Sequence, residues 1–186
     1  MVVVYDANVL YAAPLRDVLM HLALTPLVEA RWTHLIQAEW LRNVLQNRVD
    51  LERSKLERTQ ELMNAAVPNA LVINFEHVIQ TLQLPDNDDR HVLAAAIQAR
   101  ATIITTKNLS DFPRASLEPL GIEALHPDEF IGRLLDINSA VVISALGLQR
   151  QSMKHPPLTV DEFLQMLEKQ DLHGTVRRLK PFAVLL

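Results

Sequence analysis

Four carboxylates in this chain stand where a shared chemistry is conceivable. Asp6 follows the apolar run Val2-Val3-Val4-Tyr5, and an amide, Asn8, comes two residues later. Glu39 sits among Leu35, Ile36, Trp40 and Val44, whose helical spacing turns it toward the protein rather than bulk water. Asp89 opens an alanine-rich stretch, and Asp111 follows the run Thr-Ile-Ile-Thr at 102–105 by a short loop. The chain has no cysteine, which excludes disulfides, thiolate metal sites and cysteine catalysis. An oxygen-only cluster suits Mg²⁺ or Mn²⁺ rather than zinc. Crowded carboxylates repel one another, and a divalent cation relieves that repulsion. Such a cation can activate water against a phosphodiester and stabilise the leaving oxygen.

Each acid also has a plainer reading. Asp6 and Asp89 could cap helices, Glu39 could sit on a solvated helix face, and Asp111 could serve a turn. A half-buried Glu39 needs a partner, and Arg42, three residues on, is the local candidate. Basic residues around the acids would have to hold a polyanion. Arg90 beside Asp89 and Lys107 in the loop after 102–105 are rim candidates, and Arg42 and Arg48 could extend the same rim; local ion pairs are the alternative for Arg90 and Lys107. His91 is the histidine nearest the cluster by sequence, and packing accounts for it without a role in the chemistry.

The elements that must position these groups follow from periodicity. The run at 2–5 reads as a buried strand, and an acid at the tip of such a strand faces the crevice where open α/β sheets bind ligands. Helical spacing recurs over 15–24, 34–48, 51–66 and 76–84, and from Asp89 onward. Short strands are expected at 71–73, 102–105 and 122–124. His126-Pro127 should enter a further helix, and 139–180 should be helical with breaks near His155 and Gly174. Strands alternating with helices predict an α/β fold, a parallel sheet flanked by helices, with an α-helical C-terminal extension.

At 186 residues there is room for one well-buried domain and an appendage. The net charge of −4 divides unevenly: residues 1–138 are acidic and 139–186 mildly basic, with Arg150, Lys154, Arg177, Arg178 and Lys180. That is not the footprint of a protein that grips nucleic acid by charge alone. The N-terminus shows no leader-like basic stretch, and no apolar run approaches the roughly 20 residues of a membrane span, so a cytoplasmic protein is expected.

Three segments together carry a resemblance. Tyr5-Asp6-Ala7-Asn8-Val9-Leu10, then Asp88-Asp89-Arg90-His91-Val92-Leu93-Ala94-Ala95-Ala96, then Thr106-Lys107-Asn108-Leu109-Ser110-Asp111-Phe112 resemble the PIN domain, most of all the VapC-type ribonuclease toxins of bacterial toxin–antitoxin pairs. The resemblance covers residues 1–137 and implies a PIN-like nuclease domain there, followed by a helical extension over 138–186. It implies Asp6, Glu39, Asp89 and Asp111 as catalytic metal ligands. Asn108 stands where many PIN domains have Asp, so Asp111 is read as supplying the fourth carboxylate. Asn8, Thr106 and Asn108 would orient the acids through hydrogen bonds. The implied activity is Mg²⁺- or Mn²⁺-dependent hydrolysis of RNA with water as nucleophile, leaving 5′-phosphate and 3′-hydroxyl ends. The implied partners are RNA, a cognate antitoxin and a second copy in a homodimer. The Asn108 departure keeps open a catalytically impaired RNA- or protein-binding module. Haloacid dehalogenase-like phosphatases want Asp-x-Asp where this chain has Asp-x-Asn, and receivers want a phosphoacceptor where residues 51–66 form a charged helix. A flap nuclease would carry an arch insertion absent here.

Overall fold

The computed structural model describes residues 1–154 and 156–186. In chain order the elements are β1 (Val2–Tyr5), α1 (Ala7–Tyr11), α2 (Ala13–Ala23), β2 (Glu29–Arg31), α3 (His34–Asn47), α4 (Arg53–Ala66), α5 (Glu76–Ile79) and α6 (Arg90–Gln98). They continue with β3 (Ile103–Thr105), α7 (Arg114–Leu117), β4 (Glu123–Leu125), α8 (Pro127–Ser152), α9 (Val160–Glu168) and α10 (His173–Leu179), with 3-10 turns at Leu109–Asp111, Glu118–Leu120 and Lys180–Leu185. The four strands form one wholly parallel sheet in the order β2-β1-β3-β4. Parallel strands need crossover helices on their faces, and α6 packs on both β1 and β3.

The centre of the sheet is apolar because β1 and β3 are buried on both sides. Tyr5 is fully buried, stacks on Trp32 and meets Phe130 edge-on, each ring pair 6.4 Å apart between centroids. Its hydroxyl donates to the Leu19 carbonyl at 3.1 Å, which satisfies the one polar atom in that stack. Register pairs Tyr5 with Thr105, so the next residues, Asp6 and Thr106, emerge side by side at the strand tips.

Several expectations change. The run 71–73 is not a strand: it makes a single bridge, Leu71 to Trp32, with Leu71 and Ile73 exposed. Asn69 and Asn74 bracket it in the left-handed region, with φ of 64° and 59°, so extended pairing cannot propagate either way. The fourth strand is instead β2, whose Glu-Ala-Arg sequence carries no alternating or β-branched signal. The helix expected over 76–84 is a single turn, α5.

The break expected near Gly174 is present between Glu168, where α9 ends, and His173, where α10 begins, with Gly174 as the second residue of α10. The Asp128 carboxylate accepts the Gly174 and Thr175 N–H groups, each at 2.7 Å, and so caps α10 from the start of α8. A Cβ on Gly174 would meet Asp128 Oδ2 at 2.9 Å, which explains the glycine. The break expected near His155 is present between Ser152, where α8 ends, and Val160, where α9 begins; His155 itself lies outside the described residues.

Contrary to expectation, α8 is long and apolar enough by length and composition to cross a membrane. Here it lies against α2 and α10, with Phe130, Ile131, Leu134, Val142 and Leu146 buried. It is interrupted at Asn138, whose φ of −159° and ψ of 90° leave the helix, and whose Oδ1 accepts the Val141 N–H at 3.1 Å. That is N-cap geometry for the second half of α8.

Candidate functional site

The tips of β1 and β3 are joined by a closed set of hydrogen bonds. Asp6 is 2 % exposed. Its Oδ1 accepts the Ala7 N–H at 2.6 Å, and its Oδ2 accepts from Asn8 Nδ2 at 2.6 Å and from the Thr106 hydroxyl at 2.7 Å. The Thr106 oxygen accepts in turn from Asn8 Nδ2 at 2.9 Å and from the Asn108 N–H at 3.0 Å. Asn8 Oδ1 takes the Lys107 N–H at 2.9 Å, and Asn108 Nδ2 donates to Asp111 Oδ2. The residues expected to orient the acids, Asn8, Thr106 and Asn108, therefore all touch them or one another. Asp6 does accept from the first residue of α1, but most of its hydrogen bonding goes elsewhere, so a helix cap describes it poorly.

Glu39 is carried by α3, which starts at a Thr33 cap and packs on α1 and α6. Its partner is not Arg42 but His91, whose Nε2 lies 3.1 Å from Glu39 Oε2. The reason is packing: α6 faces α3 across the site, whereas Arg42 is exposed. His91 Nδ1 is buried without a partner among the described residues. A proton there would be an unsatisfied buried donor, so the ring is best served by carrying its proton on Nε2 and donating to Glu39. Sequence reasoning gave His91 no role, and the contact spans 52 residues, so no local pattern signals it. Replacing His91 with Ala should raise the divalent-cation concentration for half-maximal activity by about tenfold or more, read from a cation titration. An unchanged titration would make the contact merely structural.

Asp89 precedes α6 at the cap position but makes no capping hydrogen bond. Its carboxyl is pushed up to about 7, first by burial and then by the charges of Asp6, Asp111, Asp86 and Glu39. Burial likewise lifts Asp6 to about 6, with the Thr106 hydrogen bond opposing and Glu39 adding to the rise. The four acids thus share one electrostatic neighbourhood at the carboxyl ends of β1 and β3.

The basic rim is more committed than the sequence suggests. Lys107 Nζ pairs with Asp171 of the α9–α10 turn at 2.8 Å, and Arg90 Nε donates to the Asn87 carbonyl at 2.9 Å. In the extension, Arg150 binds the Leu186 and Leu158 carbonyls, Arg178 pairs with Asp136, and Lys180 reaches Glu168 at 3.5 Å.

The donor set fits a hard divalent cation. It is oxygen-only, it contains a carboxylate with no hydrogen-bond partner among the described residues, and its acids raise one another's pKa. Among the described residues no three such side chains stand close enough together to hold one ion.

Residues 2–110 match the PIN domain family, and residues 127–181 match the VapC50 C-terminal domain. Over 123 residues, 63% of this chain and 73% of the relative, the sequence is 35% identical to a candidate ribonuclease VapC50 of Mycobacterium tuberculosis (strain ATCC 25618 / H37Rv). No solved structure matches the chain. The parallel sheet, the acids at its strand tips and a match spanning more than half the residues agree: the chain belongs to the PIN domain family.

Proposed function

We propose that this chain is a Mg²⁺- or Mn²⁺-dependent endoribonuclease, the toxin of a toxin–antitoxin pair, with Asp6, Glu39, Asp89 and Asp111 as the residues that hold the cation. The observation that carries the reading is Asp89. It occupies a helix-cap position without capping, and it stands with three other acids at the end of a parallel sheet. The similarity to VapC50 supports the substrate class.

When bound, the cation would lower the pKa of an attacking water and offset charge on the phosphodiester. The protein's part is positional. Asp6 is fixed by Ala7, Asn8 and Thr106; Glu39 is fixed by His91; Asp111 is fixed by Asn108. Asp89, whose carboxyl stands at about 7 in the cation-free protein, would give up its proton as the cation binds. Lys107, Arg90 and Arg42 form the rim for RNA, Lys107 after exchanging Asp171 for phosphate. We divide the chain at the Asn138 interruption into a nuclease domain, 1–137, and a helical extension, 138–186. An antitoxin and a second copy in a homodimer are the proposed protein partners, acting in the cytoplasm, where RNA is met.

The test is cleavage of a panel of structured RNAs by pure protein free of antitoxin. Products with 5′-phosphate ends should form with Mn²⁺ or Mg²⁺ and vanish with EDTA. No metal-dependent product would favour a binding module instead.

A further inference from the structure

Beyond the acids, a second groove opens where α1 meets α2 and the far half of α3. It encloses a cavity of about 320 Å³ lined by Tyr11, Pro14, Arg16, Val44, Arg48 and Leu56, among others. Arg16 is only 9% exposed. Its Nη1 donates to the Leu10 carbonyl at 2.9 Å, and its guanidinium carbon lies 5.0 Å from the centre of the Trp40 ring. Among the described residues no carboxylate forms an ion pair with it. A desolvated guanidinium held only by a carbonyl and an aromatic face is an expensive arrangement for packing alone. On the other wall Arg48 is bound to Asp50 through two hydrogen bonds, at 2.8 and 2.7 Å. Tyr11, at the end of α1, is 36% exposed.

The placement ties this groove to the acids. Tyr11 follows Asp6 by five residues, and Val44 follows Glu39 by five along α3. Both paths lead away from the acids by about 7.5 Å at the helical rise, and α1 packs on α3 between them. At about 3.6 residues per turn those five residues also carry each position about 140° around its helix, so a strand leaving the acids would have to turn over the α1–α3 contact to enter the groove. In a chain of net charge −4, affinity for RNA must come from a few placed cations rather than a general field. Lys107, Arg90, Arg150 and Arg178 are already engaged, whereas Arg16, though its neighbour Asp17 offsets part of its charge, makes no direct ion pair among the described residues.

We propose that this groove binds one nucleotide of the RNA outside the scissile bond, its phosphate against Arg16 and Arg48 and its base on the Tyr11 ring. The proposal rests on the ribonuclease reading. Planar, many-donor guanidinium groups suit a phosphate, and an aromatic face accepts any base. Asp50 acts as the placeholder that Arg48 leaves when phosphate arrives.

Binding of a short fluorescein-labelled single-stranded RNA, followed by anisotropy in the cleavage-silent Asp6→Asn background, tests it. Tyr11→Leu should weaken binding about tenfold while Tyr11→Phe does not. Arg48→Ala should weaken binding and lower the salt slope by about one. Asp50→Ala, which frees Arg48, should tighten it. Both Arg48 and Asp50 are exposed, so these variants should fold, which circular dichroism checks. Unchanged RNA affinity in Tyr11→Leu overturns the proposal. So does equal weakening by Arg48→Ala and Asp50→Ala, which would mark a structural ion pair. Tyr11-dependent binding of polyglutamate in place of RNA also overturns it, in favour of a protein partner. If the native chain cleaves RNA while Tyr11→Leu binds normally, only the groove assignment fails. If the native chain neither cleaves nor binds RNA, the ribonuclease reading fails with it.

Discussion

Replacing Asp6 with Asn is expected to abolish metal-dependent RNA cleavage, by at least about 10³-fold in single-turnover rate, while the protein remains folded. Two losses add. Asn carries no charge, and a hard cation draws most of its binding from charged oxygens. Losing several kcal/mol of that interaction corresponds to three or more decades in rate. The second loss is geometric. An amide nitrogen at position 6 would face the Asn8 Nδ2 donor that now serves Asp6 Oδ2. Asn8 cannot turn over to help, because its Oδ1 is already committed to the Lys107 N–H. The hydrogen-bonded joint between the strand tips therefore loosens as well as losing its charge. Full metal-dependent cleavage by the variant would remove Asp6 from the site.

The second large effect is on stability. Without a divalent cation, the protein should lose stability as pH rises from about 4 to 7 and regain it when Mn²⁺ is added. Asp6 and Asp89 ionise at about 6 and about 7 in the folded chain, against 3.8 ordinarily. An acid with a raised folded pKa binds its proton more tightly folded than unfolded. Its ionisation therefore costs nothing below about pH 4 and costs most above its folded pKa. For nearly buried Asp6 the displacement corresponds to about 3 kcal/mol. Asp89 is more solvated and contributes less. A cation competes with those protons, so its benefit should be small at pH 5 and large at pH 8. At a hundredfold excess over the dissociation constant it adds about 2.7 kcal/mol. For a chain of this size that is a rise of about 5–10 °C in Tm. Thermal melts with EDTA and with Mn²⁺ at both pH values read the effect. An equal shift at pH 5 and pH 8 would place the cation elsewhere.

What could be read from the chain alone divides along physical lines. β1 and β3 were legible because a strand buried on both faces must be apolar and β-branched. α6 was legible because alanines let a helix lie close on the sheet. β2 was not: Glu29-Ala30-Arg31 is extended only because it pairs with β1, and no local propensity records that. The overreading of 71–73 has the complementary cause, since three apolar residues suggest a strand whether or not a neighbour exists to pair with all of them. Each acid and its immediate helpers lie within short motifs and could be picked out. Their longer-range partners could not. His91 reaches Glu39 across 52 residues, and Asp171 reaches Lys107 across 64. The break near Gly174 was legible, but nothing nearby in sequence shows that the glycine also makes way for Asp128.

The span of those contacts has a consequence for the order in which the molecule comes to life. The Thr106 hydroxyl meets Asp6 across 100 residues, and Asn8 Oδ1 meets the Lys107 N–H across 99. A nascent chain therefore carries Asp6 well before the strand tips can join, because the partners are made about a hundred residues later. Loop closure over such distances makes this junction a late event in folding. For a protein that attacks RNA, the translating ribosome is thereby faced with a finished centre only after Thr106 and Lys107 have followed Asp6 and Asn8 out.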